Sequence, residues 1–439
     1  MKKQLFIHTF GCQMNVHDSS QIIALLSQHG YEEVNHAEKA ALIILNTCSI
    51  REKAVQKIMS QLGRYKPLKE KNENLIIGIG GCLAQHMGEE LLAKVPYLDL
   101  VFGTHNIHKL PDFIDKIEKT GRRIADTSQK DVIPSISMCV EPPKGAVSSF
   151  VTIMQGCNNY CAYCVVPYLR GPETSRPAAE IISEVKGLVK CGIKEVTLLG
   201  QNVNSYGKTL NNGIRFPDIL YRLNDIDGLE RIRFTTSHPK DLSDELIRCF
   251  ADVPAMCEHI HLPVQSGSDS VLKAMNRGYT TKDYLELIDK LRACRSDIAV
   301  TSDVIVGFPG ESEDDFQASL DMMDKIRFDN LFSFKYSERE GTAAVNFVNK
   351  VPEKVKSERL VILQALQSVH TQEKNQSAVG RTMEVLVEGR SKNSADDVSG
   401  RTRCNKIVNF RGPATLLGKS VSVRIKKAFL HSLRGEIVA

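Results

Sequence analysis

Over the first 125 residues, short apolar runs alternate with stretches in which apolar positions recur every three to four residues. Gln4–Phe10, Ala41–Asn46 and Leu75–Ile79 are runs of strand length. Ser19–Gln28 carries Ile22, Ile23, Leu25 and Leu26 on one helical face and stops at Gly30; Glu52–Tyr65 and Gly88–Lys94 are the next helical stretches. Buried runs separated by amphipathic helices predict an open parallel βα domain over 1–125. Residues 126–148 contain Pro134, Pro142 and Pro143, show no period of 2 or 3.6, and are expected to be a linker. The alternation resumes at residue 149. Phe150–Met154, Glu195–Leu199, Arg231–Thr235, His259–Val264, Ala299–Val306 and Leu331–Tyr336 are the expected strands, with helices such as Ala178–Lys190 and Lys282–Cys294 between them. Six βα units predict a partial barrel over 149–375, left by a helix, Glu353–Glu373. From Thr382 the period falls to 2: Met383, Val385 and Val387, and later Val421, Val423 and Ile425, alternate with polar neighbours. That pattern predicts a small β-barrel over 376–439.

Composition adds three constraints. No window approaches the ~20 apolar residues of a membrane span, and the apolar run after Met1-Lys2-Lys3 is too brief for a signal peptide. A cytoplasmic protein without a membrane partner is therefore expected; a monomer is also expected. In that compartment thiols stay reduced, so the twelve cysteines are not a disulfide framework, and clustered ones are better read as metal ligands. The net charge of +5 is unevenly spread: residues 376–439 hold twelve Lys and Arg against five Asp and Glu, and the rest of the chain holds 45 against 47. A basic terminal barrel points to a polyanion, most simply nucleic acid.

The candidate chemistry lies in two sets of three cysteines. Cys157, Cys161 and Cys164 fall within eight residues at the spacing C-x3-C-x2-C. A [4Fe–4S] cube normally takes four cysteines, so three would leave one iron open to a small molecule; a structural zinc site is the competing reading, and it needs a fourth ligand. Cys12, Cys48 and Cys82 each follow an expected strand, 36 and 34 residues apart. The carboxyl ends of parallel strands line one edge, where ligands bind, so these three should meet as a second cluster rather than lie as three inert core thiols. Cys139, Cys191, Cys249, Cys257, Cys294 and Cys404 are expected to pack, and His238 and His261 receive no role.

The motif C-x3-C-x-aromatic-C, with Tyr163 as the aromatic, resembles the signature of the radical S-adenosylmethionine (SAM) enzymes. The resemblance implies a cluster on Cys157, Cys161 and Cys164, SAM on its fourth iron, and a six-stranded (β/α) barrel. It implies SAM contacts at Tyr163, at Gly200, Gln201 and Asn202, at Ser237 and Gln265, and at Ile305 and Gly307, although Gly-Gln-Asn replaces the usual Gly-Gly-Glu and Asp303 stands where a glycine often occurs. Thr9–Asn15, Asn46–Arg51 and Gly80–Cys82 resemble the N-terminal domain of methylthiotransferases, with a second [4Fe–4S] cluster used in sulfur supply. Met14 and Asn15 with Asp18 and Ser19 resemble the tRNA-modifying branch most, and the tail resembles the TRAM domain, an RNA-binding barrel. Together these imply methylthiolation of C2 of an N6-isopentenyl adenosine beside the tRNA anticodon. No catalytic side chain is expected beyond the cluster ligands, and an electron donor such as flavodoxin or ferredoxin is implied. Arg170, Arg176, Arg424 and Lys426 are the expected contacts to the anticodon stem-loop, although Arg170 and Arg176 could equally bind a carboxylate or be paired surface residues. Two alternatives stand beside this: a methylthiotransferase for another tRNA adenosine or a ribosomal-protein aspartate, and a non-catalytic iron–sulfur RNA-binding protein.

Overall fold

A computed structural model describes residues 2–48, 52–129, 142–143, 145–392, 394 and 396–438. Ser49, Ile50, Arg51, Cys139 and Pro134, and most of the expected linker, lie outside the described residues. The chain forms two compact units. The first comprises residues 1–141, 155–158 and 165–176, and the second residues 142–154, 159–164 and 177–439.

The first unit is built on a six-stranded parallel sheet: β1 (Lys3–Thr9), β2 (Tyr31–Glu33), β3 (Leu42–Thr47), β4 (Ile76–Gly81), β5 (Leu100–Phe102) and β6 (Ile124–Asp126), in the order 2-1-3-4-5-6. Strands β3 and β4 are buried along their whole length, as their unbroken apolar runs require. Helices α1 (Gln13–Gln28), α2 (Glu52–Lys71), α3 (Cys82–Met87), α4 (Glu89–Lys94) and α5 (Leu110–Thr120) pack around it. Three features depart from the sequence expectation. Helix α1 starts six residues before Ser19, because its first turns bury polar side chains, Asn15, His17 and Asp18, which break the apolar period. Helix α2 runs on past Tyr65 through Pro67; Pro67 and Gly63 are both exposed, so the carbonyl left without its donor faces water. Strands β2, β5 and β6 have three residues each, too few to show a period.

In the second unit, β7 (Ser148–Thr152), β10 (Glu195–Leu199) and β11 (Arg231–Phe234) form one parallel sheet. A second parallel sheet contains β12 (His259–His261), β13 (Ala299–Val306) and β14 (Asn330–Lys335). An isolated parallel bridge joins Ile232 of β11 to Met256, three residues before β12, and the two three-stranded sheets together make the partial barrel. The two-residue strands β8 (Met154–Gln155) and β9 (Thr174–Ser175) flank the cysteine loop, as does α6 (Val166–Arg170). The barrel helices are α7 (Ala178–Lys190), α8 (Phe216–Asn224), α9 (Asp244–Asp252), α10 (Asp269–Ala274), α11 (Thr281–Cys294) and α12 (Glu313–Ile326), and α13 (Glu353–Gln376) leads to the tail. The tail is a closed five-stranded barrel of β15 (Thr382–Arg390), β16 (Asp397–Thr402), β17 (Ile407–Arg411), β18 (Ser420–Ala428) and β19 (Leu433–Ile437). Val385, Val387, Val423 and Ile425 are its core, the inward half of the period of two.

Buried cations fasten this tail to the six-stranded barrel. Arg231, fully buried, donates to the Arg401 carbonyl at 2.7 Å and to Glu384 at 2.8 Å. Arg233 donates to the carbonyls of Thr402 and Arg403, and Arg403 in turn pairs with the buried Glu258. No described helix is long and apolar enough to cross a membrane.

Candidate metal centres

The edge of the first sheet assembles the first three cysteines. Strands β3 and β4 pair with Thr47 opposite Gly81, so Cys48 and Cys82 occupy equivalent places one residue beyond them. Cys12 follows β1, whose Thr9 is opposite Asn46. Gly11 has φ +138°, and a Cβ there would lie 2.7 Å from the Cys48 Cβ, so only glycine lets these two segments approach. Gly81, at φ +89°, is constrained likewise, since a Cβ would run into the Thr47 carbonyl.

Asn15 holds the edge together. Fully buried, it accepts from the Cys12 thiol at 3.4 Å and donates to Asn46 Oδ1 and the Thr47 carbonyl, each at 3.2 Å. Asn46 returns a bond to the Asn15 carbonyl at 2.8 Å, and Thr47 ties on to the Gly80 carbonyl at 2.7 Å. The three strand ends thus share one amide network, which explains why polar residues occupy buried positions there.

Arg170 departs most from expectation. The sequence expects it at the surface, on an RNA phosphate or a carboxylate; a carboxylate is its partner, but only 4% of its side chain is exposed, and its Nη2 donates to the buried Asp18 at 3.1 Å. That burial removes it from any RNA-binding surface. Leu169, its neighbour on α6, packs with Val165 against Cys82. Burial pushes the Cys82 thiol up, and the Arg170 charge beside it opposes that shift. Burial also works against the charge of Arg170, yet Cys82, Asp18 and Cys12 hold it more firmly protonated. Its Nη1, buried, has no hydrogen-bond partner among the described residues. A buried, unsatisfied cationic donor beside two thiols fits an anionic, thiolate-held group. Among the described residues, no three His, Cys, Asp or Glu side chains are arranged to hold a single metal ion. A four-iron cube needs no such convergence, because each thiolate meets its own iron.

Of the second set, Cys157 belongs to the first unit and Cys161 and Cys164 to the second. In the first unit, Gly156 has φ +75° and a Cβ there would strike the Pro172 carbonyl, while Cys157 donates its N–H to Gly171. In the second unit, the backbone of Ala162 bonds to Met275 and Ala344, and the Asn276 amide donates to the Tyr160 carbonyl at 3.1 Å. Arg277, buried, places Nη1 3.4 Å from the Cys161 sulfur and 3.5 Å from the Tyr163 hydroxyl. Its Nη2 donates to the Pro263 carbonyl at 2.8 Å and its Nε to Tyr279 at 3.1 Å. A guanidinium fixed on three sides against a sulfur again suits a thiolate ligand. Arg277 has no expected role in the sequence; no local signal announces a contact made 116 residues away.

The expected SAM residues all lie at or beyond carboxyl ends of barrel strands. Gly200, Gln201 and Asn202 follow β10, but Asn202 is buried and donates to Asp241 at 2.7 Å, so its amide nitrogen is already engaged. Ser237 follows β11, buried, its hydroxyl without a partner among the described residues. Gln265, at φ +74°, accepts from the Ile305 N–H at 2.9 Å, and Gly307 donates its N–H to Glu311 at 2.7 Å. Asp303 faces His261 at 3.5 Å. His238 accepts from the Lys240 N–H at 3.3 Å; burial first, then Arg277, Lys240 and Lys208, lower its pKa to about 2. Cys191 is exposed at the end of α7 and does not pack; Cys249 and Cys257 are buried. On the tail, Arg424 is exposed, whereas Lys426 is paired with Glu436 at 3.1 Å. Arg176, partly buried, lies within reach of His17, whose pKa it helps to lower after burial.

Comparison with known proteins follows the same three-part division. An uncharacterized protein family, UPF0004, matches residues 4–103; the radical SAM superfamily matches residues 151–323, and the TRAM domain matches residues 376–438. A tRNA-2-methylthio-N(6)-dimethylallyladenosine synthase of Syntrophus aciditrophicus is 60% identical over 437 residues, covering 100% of this chain and 95% of that protein. The protein of the same name from Geobacter sulfurreducens is 51% identical, over 99% of this chain and 98% of its own. Among solved structures, the radical SAM methyltransferase TsrM of Kitasatospora setae shares the fold with a TM-score of 0.55 at 14% identity, over 76% of this chain and 73% of that one. The cobalamin-dependent SAM radical enzyme OxsB gives 0.54 at 14% identity, over 83% of this chain and 56% of that one.

Proposed function

Because the chain belongs to the family of tRNA-2-methylthio-N(6)-dimethylallyladenosine synthases, we propose that it installs a methylthio group on C2 of an N6-isopentenyl adenosine next to the anticodon of tRNA. Membership of the radical SAM superfamily implies SAM and a [4Fe–4S] cluster. The residues that would hold that cluster are Cys157, Cys161 and Cys164; Cys12, Cys48 and Cys82 would hold a second one that carries sulfur. The observation that supports the reading is that Cys12, Cys48 and Cys82 each follow the carboxyl end of a neighbouring strand of one parallel sheet, in a chain matched over its length by its relatives.

When bound, the central cluster with SAM supplies the one-electron chemistry that an unactivated aromatic C–H requires and side-chain acids and bases cannot provide. The chain's own residues hold and orient. Arg277 fixes Cys161 and Tyr163 in one arrangement. The Asn15–Asn46 network fixes the sheet edge, and Gly11 and Gly81 let its strand ends close up. The tail's exposed cations hold the RNA backbone, and the anticodon loop, single-stranded, can offer its base to the barrel. A reduced flavodoxin or ferredoxin would supply electrons to this cytoplasmic, monomeric enzyme.

The test is mass spectrometry of tRNA nucleosides from a strain lacking the gene, with and without complementation. Loss of the 2-methylthio form with accumulation of N6-isopentenyladenosine is expected, restored by the wild type and not by Cys12→Ala or Cys157→Ala. Unchanged 2-methylthio nucleosides in the deletion strain would refute the assignment.

A further inference from the structure

Arg170 sits where a surface cation is least expected. It is 4% exposed, its Nη2 is satisfied by Asp18, also buried, and its Nη1 has no partner among the described residues. An unpartnered cationic N–H in the interior is costly, and it persists where something absent from the bare chain completes it. The neighbours say what that is. Cys82 packs against Leu169, the residue before Arg170, and the Arg170 guanidinium bonds to Asp18 and lies within hydrogen-bonding reach of the Cys82 thiol. That thiol belongs to the sheet edge, and Asp18 lies on α1, the helix that Cys12 caps.

We propose that Arg170 is the charge-assisted hydrogen-bond donor to the group held by Cys12, Cys48 and Cys82, and that it raises the reduction potential of that group; the proposal rests on the reading of these cysteines as cluster ligands. A guanidinium at an iron–sulfur centre favours the more negative, reduced form, and hydrogen bonds to the sulfurs act in the same direction. Asp18 opposes it. The carboxylate orients the guanidinium through Nη2, leaves the Arg170 side chain within reach of the Cys82 thiol, and offsets part of the positive charge. The pair therefore positions a donor and moderates its effect.

The test uses the full chain with Cys157, Cys161 and Cys164 all changed to Ala, so that iron and redox signals come from the N-terminal site alone. After anaerobic reconstitution, iron is counted and the midpoint potential is read by electron paramagnetic resonance during a redox titration, for the parent and for Arg170→Gln, Arg170→Lys and Asp18→Asn. Arg170→Gln is expected to disfavour reduction by tenfold or more, which is at least 59 mV downward for one electron. Arg170→Lys, which keeps the charge and loses the fork, should shift less, and Asp18→Asn should shift upward. Equal midpoints in the loaded variants, or equal loss of iron from all three, would make Arg170 a purely structural residue and overturn the proposal. A parent that binds no iron would overturn the cluster reading itself, and the proposal with it. Loss of iron from Arg170→Gln alone, with Lys and Asn variants loaded and shifted as stated, upholds it.

Discussion

Neutralising the exposed cations of the tail should weaken RNA capture and leave the chemistry intact. Residues 376–439 hold twelve Lys and Arg. Five are in ion pairs within the chain: Arg401 with Glu388, Arg403 with Glu258, Lys406 with Asp329, Lys426 with Glu436 and Arg434 with Asp397. The other seven, Arg381, Arg390, Lys392, Arg411, Lys419, Arg424 and Lys427, are exposed and form no ion pair among the described residues. Each phosphate contact releases a counterion and contributes about 0.7 to 0.9 to the slope of log K against log salt. Changing all seven to Gln should therefore flatten the slope by several units, with a ceiling of about 5 to 6. Substitution is the better perturbation than truncation. Removing the tail would uncover Arg231, Arg233 and Glu258, and an orphaned buried charge costs about 3–5 kcal/mol. Fluorescence anisotropy of a labelled anticodon stem-loop across a potassium chloride series reads the slope, with iron content and reductive SAM cleavage as checks on the fold. Arg424→Gln alone should flatten it by just under one unit, and Lys426→Gln, already paired, by less. Unchanged affinity and slope in the sevenfold variant would refute the reasoning and make Arg176 the first cation to examine.

Four further outcomes are expected. Reconstituted protein should contain about eight irons, and about four after either triple Cys→Ala change; one zinc and no iron by plasma emission spectrometry would contradict both clusters. The Cys12/Cys48/Cys82 triple variant should still cleave SAM under reduction while forming no methylthio-adenosine, as product chromatography would show. Gly81→Ala forces a methyl into the Thr47 carbonyl at a left-handed φ and should cost about 2–4 kcal/mol, read as a lower denaturation midpoint with loss of N-terminal iron. His238 stays neutral in the folded protein down to about pH 2, whereas its ordinary value is 6.5. The unfolded chain thus binds the extra proton below pH 6.5, so this contribution to stability is full above that value and falls by about 1.4 kcal/mol per unit as pH drops toward the folded value. His238→Asn should make the pH dependence of urea unfolding between pH 6.5 and 4 measurably shallower.

Elements whose signal is local were legible in the chain alone. Unbroken apolar runs announced β3 and β4, the period of two announced the tail barrel, and the position of each cysteine after its strand placed Cys48 and Cys82 side by side. Periodicity reports how each segment is buried, so it reads well wherever burial is apolar. It fails where a segment buries polar groups for a site: the start of α1 was hidden because Asn15, His17 and Asp18 face inward. The partners of the cations were not legible before folding brought them together. Arg170 meets Asp18 across 152 residues, Arg277 meets Cys161 across 116, and Arg403 meets Glu258 across 145. An arginine on a polar segment looks the same in sequence whether it faces solvent, a thiol or a carboxylate. The difference lies in desolvation and pairing, which exist only once distant segments are brought together.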